Sequence, residues 1–328
     1  MAEFDLLALI HELGGGQRSD VLLGIGDDAA ILRVAEGMDL VTCVDTLVAG
    51  VHFLPATPAW DLGWKALAVN LSDLAAMGAR PSWAQLALTL PNPEPAFVRD
   101  FMQGFLTLAQ REGVALVGGD TTCGGLTIGV TAYGLIPPGQ ALRRAGAQPG
   151  DHILVCGALG EAAGGLACLQ AGGNDTESCN PPLVSRRERL VQCLQRPEPL
   201  LAAGLCLRGR ASACIDVSDG LLSDLGHLCT ASGVGAELWL DSLPRSEDLC
   251  ALFDPEEVID FVLAGGDDYA LCCSVPESLL AMVQEDLAER KIETHVIGRI
   301  VADRGVSVLD SSGQIFQPRR RGYEHFRT

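Results

Sequence analysis

The chain has 328 residues, 48% of them hydrophobic and 20% charged, with 42 acidic side chains against 23 basic ones and a formal net charge of −19. That length suggests about two domains at ~150 residues each, and the composition excludes a disordered chain. The charge argues against nucleic acid and anionic membrane as partners, since both need a basic face, but it admits a small polyphosphate if cations stand between it and the carboxylates.

In chain order, residues 3–13 carry apolar side chains at helical spacing, and Gly14-Gly15-Gly16 ends that helix. Gly24-Ile25-Gly26-Asp27-Asp28-Ala29-Ala30 then joins two apolar runs. Residues 29–34 and 40–44 read as strands around a Glu36–Asp39 turn, and the second strand runs into Asp45. A helix is expected over 60–77, a strand over 83–90, a helix over 96–111, and strands over 114–117 and 126–135. Pro137-Pro138-Gly139 opens a polar connector, which sets the expected boundary between domains 1–138 and 139–328.

The second half opens with strand 152–156 and a glycine-rich helix, 159–171. Residues 172–182 are polar and read as a loop. Helices are expected near 185–195 and 199–208, then strand 213–217, helix 221–232, strand 236–240 and helix 256–263. Strand 269–275, helix 277–290, strand 294–300 and a closing hairpin complete an α/β or α+β chain.

Aspartates recur where an apolar strand meets glycine: Asp27-Asp28, Asp45, Asp120, Asp216 with Asp219, and Asp267-Asp268. Such ends are where loops converge on a ligand and where glycine lets backbone approach it. Asp73 is different, lying mid-helix one turn after Asn70, so a partner is implied, either an arginine or a cation. Carboxylate and hydroxyl oxygens suit hard cations such as Mg²⁺ or Mn²⁺ rather than zinc. Gly24–Ala30 also spells G-x-G-x-x-A, one form of the dinucleotide fingerprint. His52, Thr121-Thr122 and Arg143-Arg144 are weaker candidates for an anionic substrate, and no function is read into Arg319–Arg321.

Other nucleotide readings fail. The two lysines, Lys65 and Lys291, follow no glycine-rich loop, so there is no Walker A motif, and no H-R-D loop stands for a protein kinase. The 12 cysteines are scattered without a C-x-x-C and read as buried thiols in a reducing cytosol. Residues 1–5 lack the basic and apolar regions of a signal peptide, and no uncharged apolar run reaches membrane-spanning length, so a cytoplasmic location is expected.

Taken together, the segments Gly24–Ala30 (GIGDDAA), Asp45–Phe53 (DTLVAGVHF), Asn70–Ala79 (NLSDLAAMGA), Gly118–Thr122 (GGDTT), Arg144–Asp151 (RAGAQPGD), Asp216–His227 (DVSDGLLSDLGH), Gly265–Leu271 (GGDDYAL) and Gly322–Phe326 (GYEHF) resemble the thiamine-monophosphate kinase family. That family belongs to a group with aminoimidazole ribonucleotide synthetase and selenophosphate synthetase. The resemblance implies a two-domain ATP-binding fold, an N-terminal domain that binds ATP and metal and pairs its sheet with a second subunit, and a C-terminal α/β domain closing the cleft. It implies a homodimer in which ATP and thiamine monophosphate give thiamine diphosphate and ADP. It also implies that Asp28, Asp45, Asp73, Asp120, Asp216 and Asp219 hold several Mg²⁺ ions, with Asp27 either a further ligand or a turn residue. Gly119, Asp120, Arg144 and Ser218 would contact ATP; His52, Asp267 and Tyr323 would contact thiamine monophosphate. No side chain acts as acid, base or nucleophile.

Under that resemblance the fingerprint at Gly24–Ala30 reads as coincidence, because adjacent carboxylates repel pyrophosphate and a strand, not a helix, is expected next. The chain departs from the family pattern at Cys43-Val44, where hydroxyls are common, and at Asp267 and Ala270, where Glu is common. The alternatives are another ATP-using member of the same group, or a thiamine-phosphate or cation-binding protein without turnover.

Overall fold

The structure is a computed structural model and describes residues 3–14, 18–171, 181–320 and 322–323. The loop expected over 172–182 lies largely outside these residues, as do Arg321 and residues 324–326 of the last motif. The chain divides into two compact units, Met1–Leu74 with Ala79–Gly139, and Ala75–Gly78 with Gln140–Thr328.

The first unit contains α1 (Glu3–Gly14), β1 (Val21–Leu23), β2 (Ile31–Leu32), β3 (Asp39–Val48), α2 (Ala59–Ala76), β4 (Arg80–Leu90), α3 (Pro95–Glu112), β5 (Ala115–Cys123) and β6 (Thr127–Ile136). Its four-stranded sheet has the order β3-β6-β4-β5, antiparallel except for the β4–β5 pair, which the crossover through α3 makes parallel. Helix α2 is buried on most of its surface, and its polar Asp61, Lys65, Asn70 and Ser72 are buried with it. Its Leu67, Leu71 and Leu74, together with Phe101 and Phe105 of α3, are fully buried. The two helices approach closely because glycine faces backbone from each side. A Cβ on Gly63 would land on the Phe101 carbonyl, and one on Gly104 on the Trp60 carbonyl.

The other face of this sheet is covered at one end, where Val21, Ala30 and Leu32 pack against Trp83, Val117 and Leu135. Beyond that it is open among the described residues. Leu40 and Val44 are 48% and 65% exposed there.

Two strands are longer than the sequence suggests. Asp45 was expected to end a strand, but β3 continues to Val48 through an unbroken ladder with β6. Asp120 likewise lies inside β5, which runs on to Cys123 against β4. Gly118-Gly119 reads as a loop because it has no side chains to alternate, yet a backbone ladder needs none. Gly119 is required for another reason: a Cβ there would collide with the Leu86 carbonyl, with Leu86 N at 3.0 Å.

The second unit contains β7 (His152–Cys156), α4 (Glu161–Ala171), α5 (Pro181–Gln195), α6 (Leu201–Leu207), β8 (Ala213–Val217), α7 (Leu221–Ser232), β9 (Gly235–Trp239), α8 (Glu247–Leu252), α9 (Pro255–Ala264), β10 (Ala270–Val275), α10 (Glu277–Glu289), β11 (Thr294–Val301), β12 (Gly305–Leu309) and β13 (Ile315–Phe316). These seven strands form one mixed sheet of order β13-β12-β9-β11-β7-β10-β8. One core joins Ile153, Val155, Ile215 and Val217 of the sheet to Leu221, Leu225 and Leu228 of α7 and Val258 and Val262 of α9. Helix α8, capped by Ser246 accepting from Leu249 N, was not expected from sequence; it is only six residues long, too short to show a period. Among the described residues no helix is long and apolar enough to cross a membrane, and the cysteines described are free.

Candidate functional site

In the first unit the candidate residues fall into two groups on opposite faces of one sheet. The open face carries a cavity of ≈ 1060 Å³ bounded by Asp27, Asp28, Val44, Thr46, Gly119 and Asp120 among others. Asp27 Oδ1 accepts the Asp28 N–H at 2.8 Å, so one of its oxygens is engaged in the turn. Among the described residues no helix follows Gly26; the chain enters β2 instead, and the dinucleotide reading has no helix N-terminus to use.

The alternation of β3 turns Asp45 the other way, toward α2. There Cys43 lies between Asp45 and Asp73. Its thiol donates to the Asn70 carbonyl at 3.3 Å and is hydrogen-bonded to Asp73. Burial first, then the charges of Asp73 and Asp45, hold the thiol far above its usual pKa, so it stays protonated and serves as a donor. Mid-helix Asp73 therefore has the Cys43 thiol as a hydrogen-bond partner. Strands β3 and β5 are opposite edges of the sheet, three strand spacings or about 14 Å apart. Asp45 and Asp120 of one chain thus stand on opposite faces at opposite edges of the sheet.

His52 sits in the turn after β3, where the Val48 N–H donates to its Nδ1 at 3.0 Å.

The second unit gathers its candidates more tightly. Strands β8 and β10 are antiparallel neighbours, so the end of β8 and the start of β10 lie side by side. Asp216 (5% exposed) is the penultimate residue of β8, and Ser218 and Asp219 follow its end at Val217. The Asp267 N–H donates to the Ser218 carbonyl at 2.8 Å, and the Tyr323 N–H to the Asp219 carbonyl at 3.0 Å. Asp216, Ser218, Asp219, Asp267 and Tyr323 are thereby drawn into one place. Arg144 is not. Its carbonyl accepts from Ser232 Oγ at 3.0 Å and the Arg143 carbonyl from Cys214 N at 2.9 Å, which anchors this backbone near the start of β8, about 13 Å of strand before Ser218.

Two supporting residues stand beside these, Asp224, which escaped the sequence reading, and Asp268, one of the aspartates noted beside glycine. Asp224 Oδ2 accepts the N–H groups of Ser218, Asp219 and Gly220 at 3.0, 3.0 and 3.1 Å and fixes the whole turn. Burial is the main cause that raises its pKa to about 7. Asp268 accepts from Gly160 N at 2.6 Å and Ala162 N at 3.2 Å, tying this loop to the start of α4. For Asp224 a signal existed: like Asp73, it is a carboxylate set among helical leucines.

Among the described residues no three His, Cys, Asp or Glu side chains converge as a ready-made metal shell. The donors are carboxylates in ones and twos. That fits Mg²⁺, which is held by one or two carboxylates plus waters and substrate phosphates rather than by an all-protein cage.

Residues 26–136 match the family model for the AIR synthase related protein, N-terminal domain, and residues 148–311 the model for its C-terminal domain. These two domains define the class. Within it the chain belongs to the thiamine-monophosphate kinase family. It is 42% identical over 326 residues to the thiamine-monophosphate kinase of Escherichia coli (strain K12), covering 99% of this chain and 98% of that one. It resembles the crystal structure of thiamine-monophosphate kinase from Stenotrophomonas maltophilia K279a with a TM-score of 0.86 at 46% identity, covering 94% and 96% of the two chains. AaThiL, solved in complex with AMPPCP and TMP, matches with a TM-score of 0.76 at 30% identity, covering 99% and 97%.

Proposed function

We propose that this chain is a Mg²⁺-dependent kinase that moves the ATP γ-phosphate directly onto thiamine monophosphate, giving thiamine diphosphate and ADP in thiamine diphosphate biosynthesis. The observation that carries this is the joining of Asp216, Ser218 and Asp219 to Asp267 and Tyr323 by backbone hydrogen bonds at adjoining ends of β8 and β10. A relative solved with AMPPCP and TMP supports both substrates.

The acceptor needs no base. A phosphate monoester has a second pKa of about 6, so its oxygen is already anionic at pH 7. What opposes the reaction is repulsion between two polyanions, made worse by a protein of charge −19. Asp28 and Asp120, Asp45 and Asp73, and Asp216 and Asp219 are the residues that would hold Mg²⁺. Bound there, it supplies charge neutralisation and in-line alignment of the transferred group. The chain's own share is placement. Ser218 and Gly119 offer a hydroxyl and close backbone to the nucleotide, and Arg144 a cation. His52, Asp267 and Tyr323 meet the acceptor.

The open face of the first sheet, with exposed Leu40 and Val44, is the surface proposed to pair with a second copy, giving a homodimer. A cytoplasmic location, where ATP is made available, goes with this reading. The test is incubation of the purified chain with ATP, Mg²⁺ and thiamine monophosphate. Thiamine diphosphate and ADP in equal amounts are expected. Absence of thiamine diphosphate sinks the proposal, and ATP use with a different phosphate acceptor favours another activity of the group.

A further inference from the structure

The segment Gly265–Tyr269 is built to a shape that its residues do not adopt unaided. Asp267 and Tyr269 both lie in the left-handed region, at φ 69° and 52°. That conformation is uncommon outside glycine and persists only where the surroundings over-determine it. Here they do. The Asp267 and Tyr269 N–H groups donate to the Ser218 and Val217 carbonyls at 2.8 and 2.9 Å. A Cβ at Gly266 would stand 2.5 Å from the Ser218 carbonyl oxygen, so only glycine lets the loop lie this close to β8. Between the two strained residues, Asp268 is tied to Gly160 and Ala162 at the start of α4.

The consequence of this bend is one side-chain contact. Tyr269, only 8% exposed, donates its phenolic O–H to Asp267 Oδ1 at 3.0 Å. With both residues in the left-handed region, the Tyr269 phenol and the Asp267 carboxylate meet across the intervening Asp268. We propose that Tyr269 is a positioning residue for substrate. It holds the Asp267 carboxylate in one orientation beside Ser218 and Asp219, and that carboxylate recognises the cationic, amino-bearing rings of thiamine monophosphate rather than its phosphate. This rests on the reading above that Asp267 contacts that substrate. The direction of recognition follows from charge. An ionised carboxylate only accepts hydrogen bonds and repels phosphate, so its partner is an N–H group or positive ring. Holding it still in the free protein removes an ordering cost from binding.

The experiment measures thiamine monophosphate affinity by calorimetry on the full chain, with KM for each substrate and kcat alongside, in Tyr269→Phe, Asp267→Asn and the double variant. Tyr269→Phe keeps the ring and removes only the hydroxyl. The expected result is about tenfold weaker thiamine monophosphate binding, the worth of one hydrogen bond to a charged group. KM for ATP stays within about twofold. Asp267→Asn should weaken binding at least as much, and the double variant no further than Asp267→Asn alone, since the hydroxyl acts through the carboxylate. Unchanged affinity in Tyr269→Phe alongside a loss in Asp267→Asn overturns the positioning role and leaves the substrate contact standing. Unchanged affinity in Asp267→Asn removes the contact itself. Equal losses for ATP and thiamine monophosphate in Tyr269→Phe make the hydroxyl merely structural and also overturn the proposal.

Discussion

Gly63→Ala and Gly226→Ala make the same change in two helices and should move stability in opposite directions. In a helix interior alanine is favoured over glycine by about 1 kcal/mol. At Gly226, mid-way along α7, an added Cβ meets nothing within 4 Å, so that gain is expected in full. At Gly63 the Cβ would land on the Phe101 carbonyl oxygen, with Phe101 C and Phe105 N each at 2.8 Å. Carbon contacts want about 3.5–4.0 Å. A backbone carbonyl inside α3 cannot swing aside without losing its own hydrogen bond, so α2 and α3 must separate. Overpacking of this kind costs about 3 kcal/mol at its upper range. Net of the propensity gain, Gly63→Ala loses about 2 kcal/mol, which lowers a urea midpoint by about 1 M for an m-value near 2 kcal/mol/M. Because α2 also carries Asn70 and Asp73, turnover should fall in Gly63→Ala and not in Gly226→Ala. Urea titrations of both variants at pH 7 decide it. A Gly63→Ala midpoint at or above the unsubstituted chain would refute the close-packing account of this helix pair.

Asp73→Asn removes one ligand charge while keeping helix and shape; kcat should drop by more than tenfold with circular dichroism unchanged, and near-normal turnover across a Mg²⁺ titration counts against Asp73 as a ligand. Asp224→Ala strips the acceptor from three backbone N–H groups at Ser218–Gly220; each such loss costs about 1–3 kcal/mol when the donor is left buried, so a clear fall in melting temperature and in nucleotide affinity is expected, and a variant matching the parent in both rules out its role in shaping the turn. Asp248 anchors α8 to α5 through Arg189 and Arg186, and the Arg189 hydrogen bonds hold its pKa below the usual carboxylate value. A depressed carboxylate pKa stabilises above the unfolded value and ceases to do so as pH falls through the folded one. Asp248→Asn should therefore be less stable than the parent at pH 7, with the difference shrinking as pH falls below the ordinary carboxylate range, and a difference that does not shrink on acidification would contradict that pairing.

Much of this protein was legible in its amino-acid order. Strand 213–217 and helix 221–232 fall where their apolar period places them. The recurring aspartates beside glycines, and the run of motifs that contains them, point to the family and its chemistry. These signals are local: a period, a cap or a carboxylate next to glycine is visible within ten residues. What the fold alone decided depends on partners far away in sequence. Strands β3 and β5 run past Asp45 and Asp120 because β6 and β4 complete their ladders, from about 85 and about 33 residues away. The alternation of β3, anchored by that register, sends Asp45 to the α2 face and Val44 to the open one, so carboxylates that look equivalent in sequence end on different faces of the sheet. The pairing of β8 with β10 is likewise what sets Asp267 beside Ser218 and lets Tyr269 reach it, and backbone hydrogen bonds of that kind leave no mark on side-chain pattern.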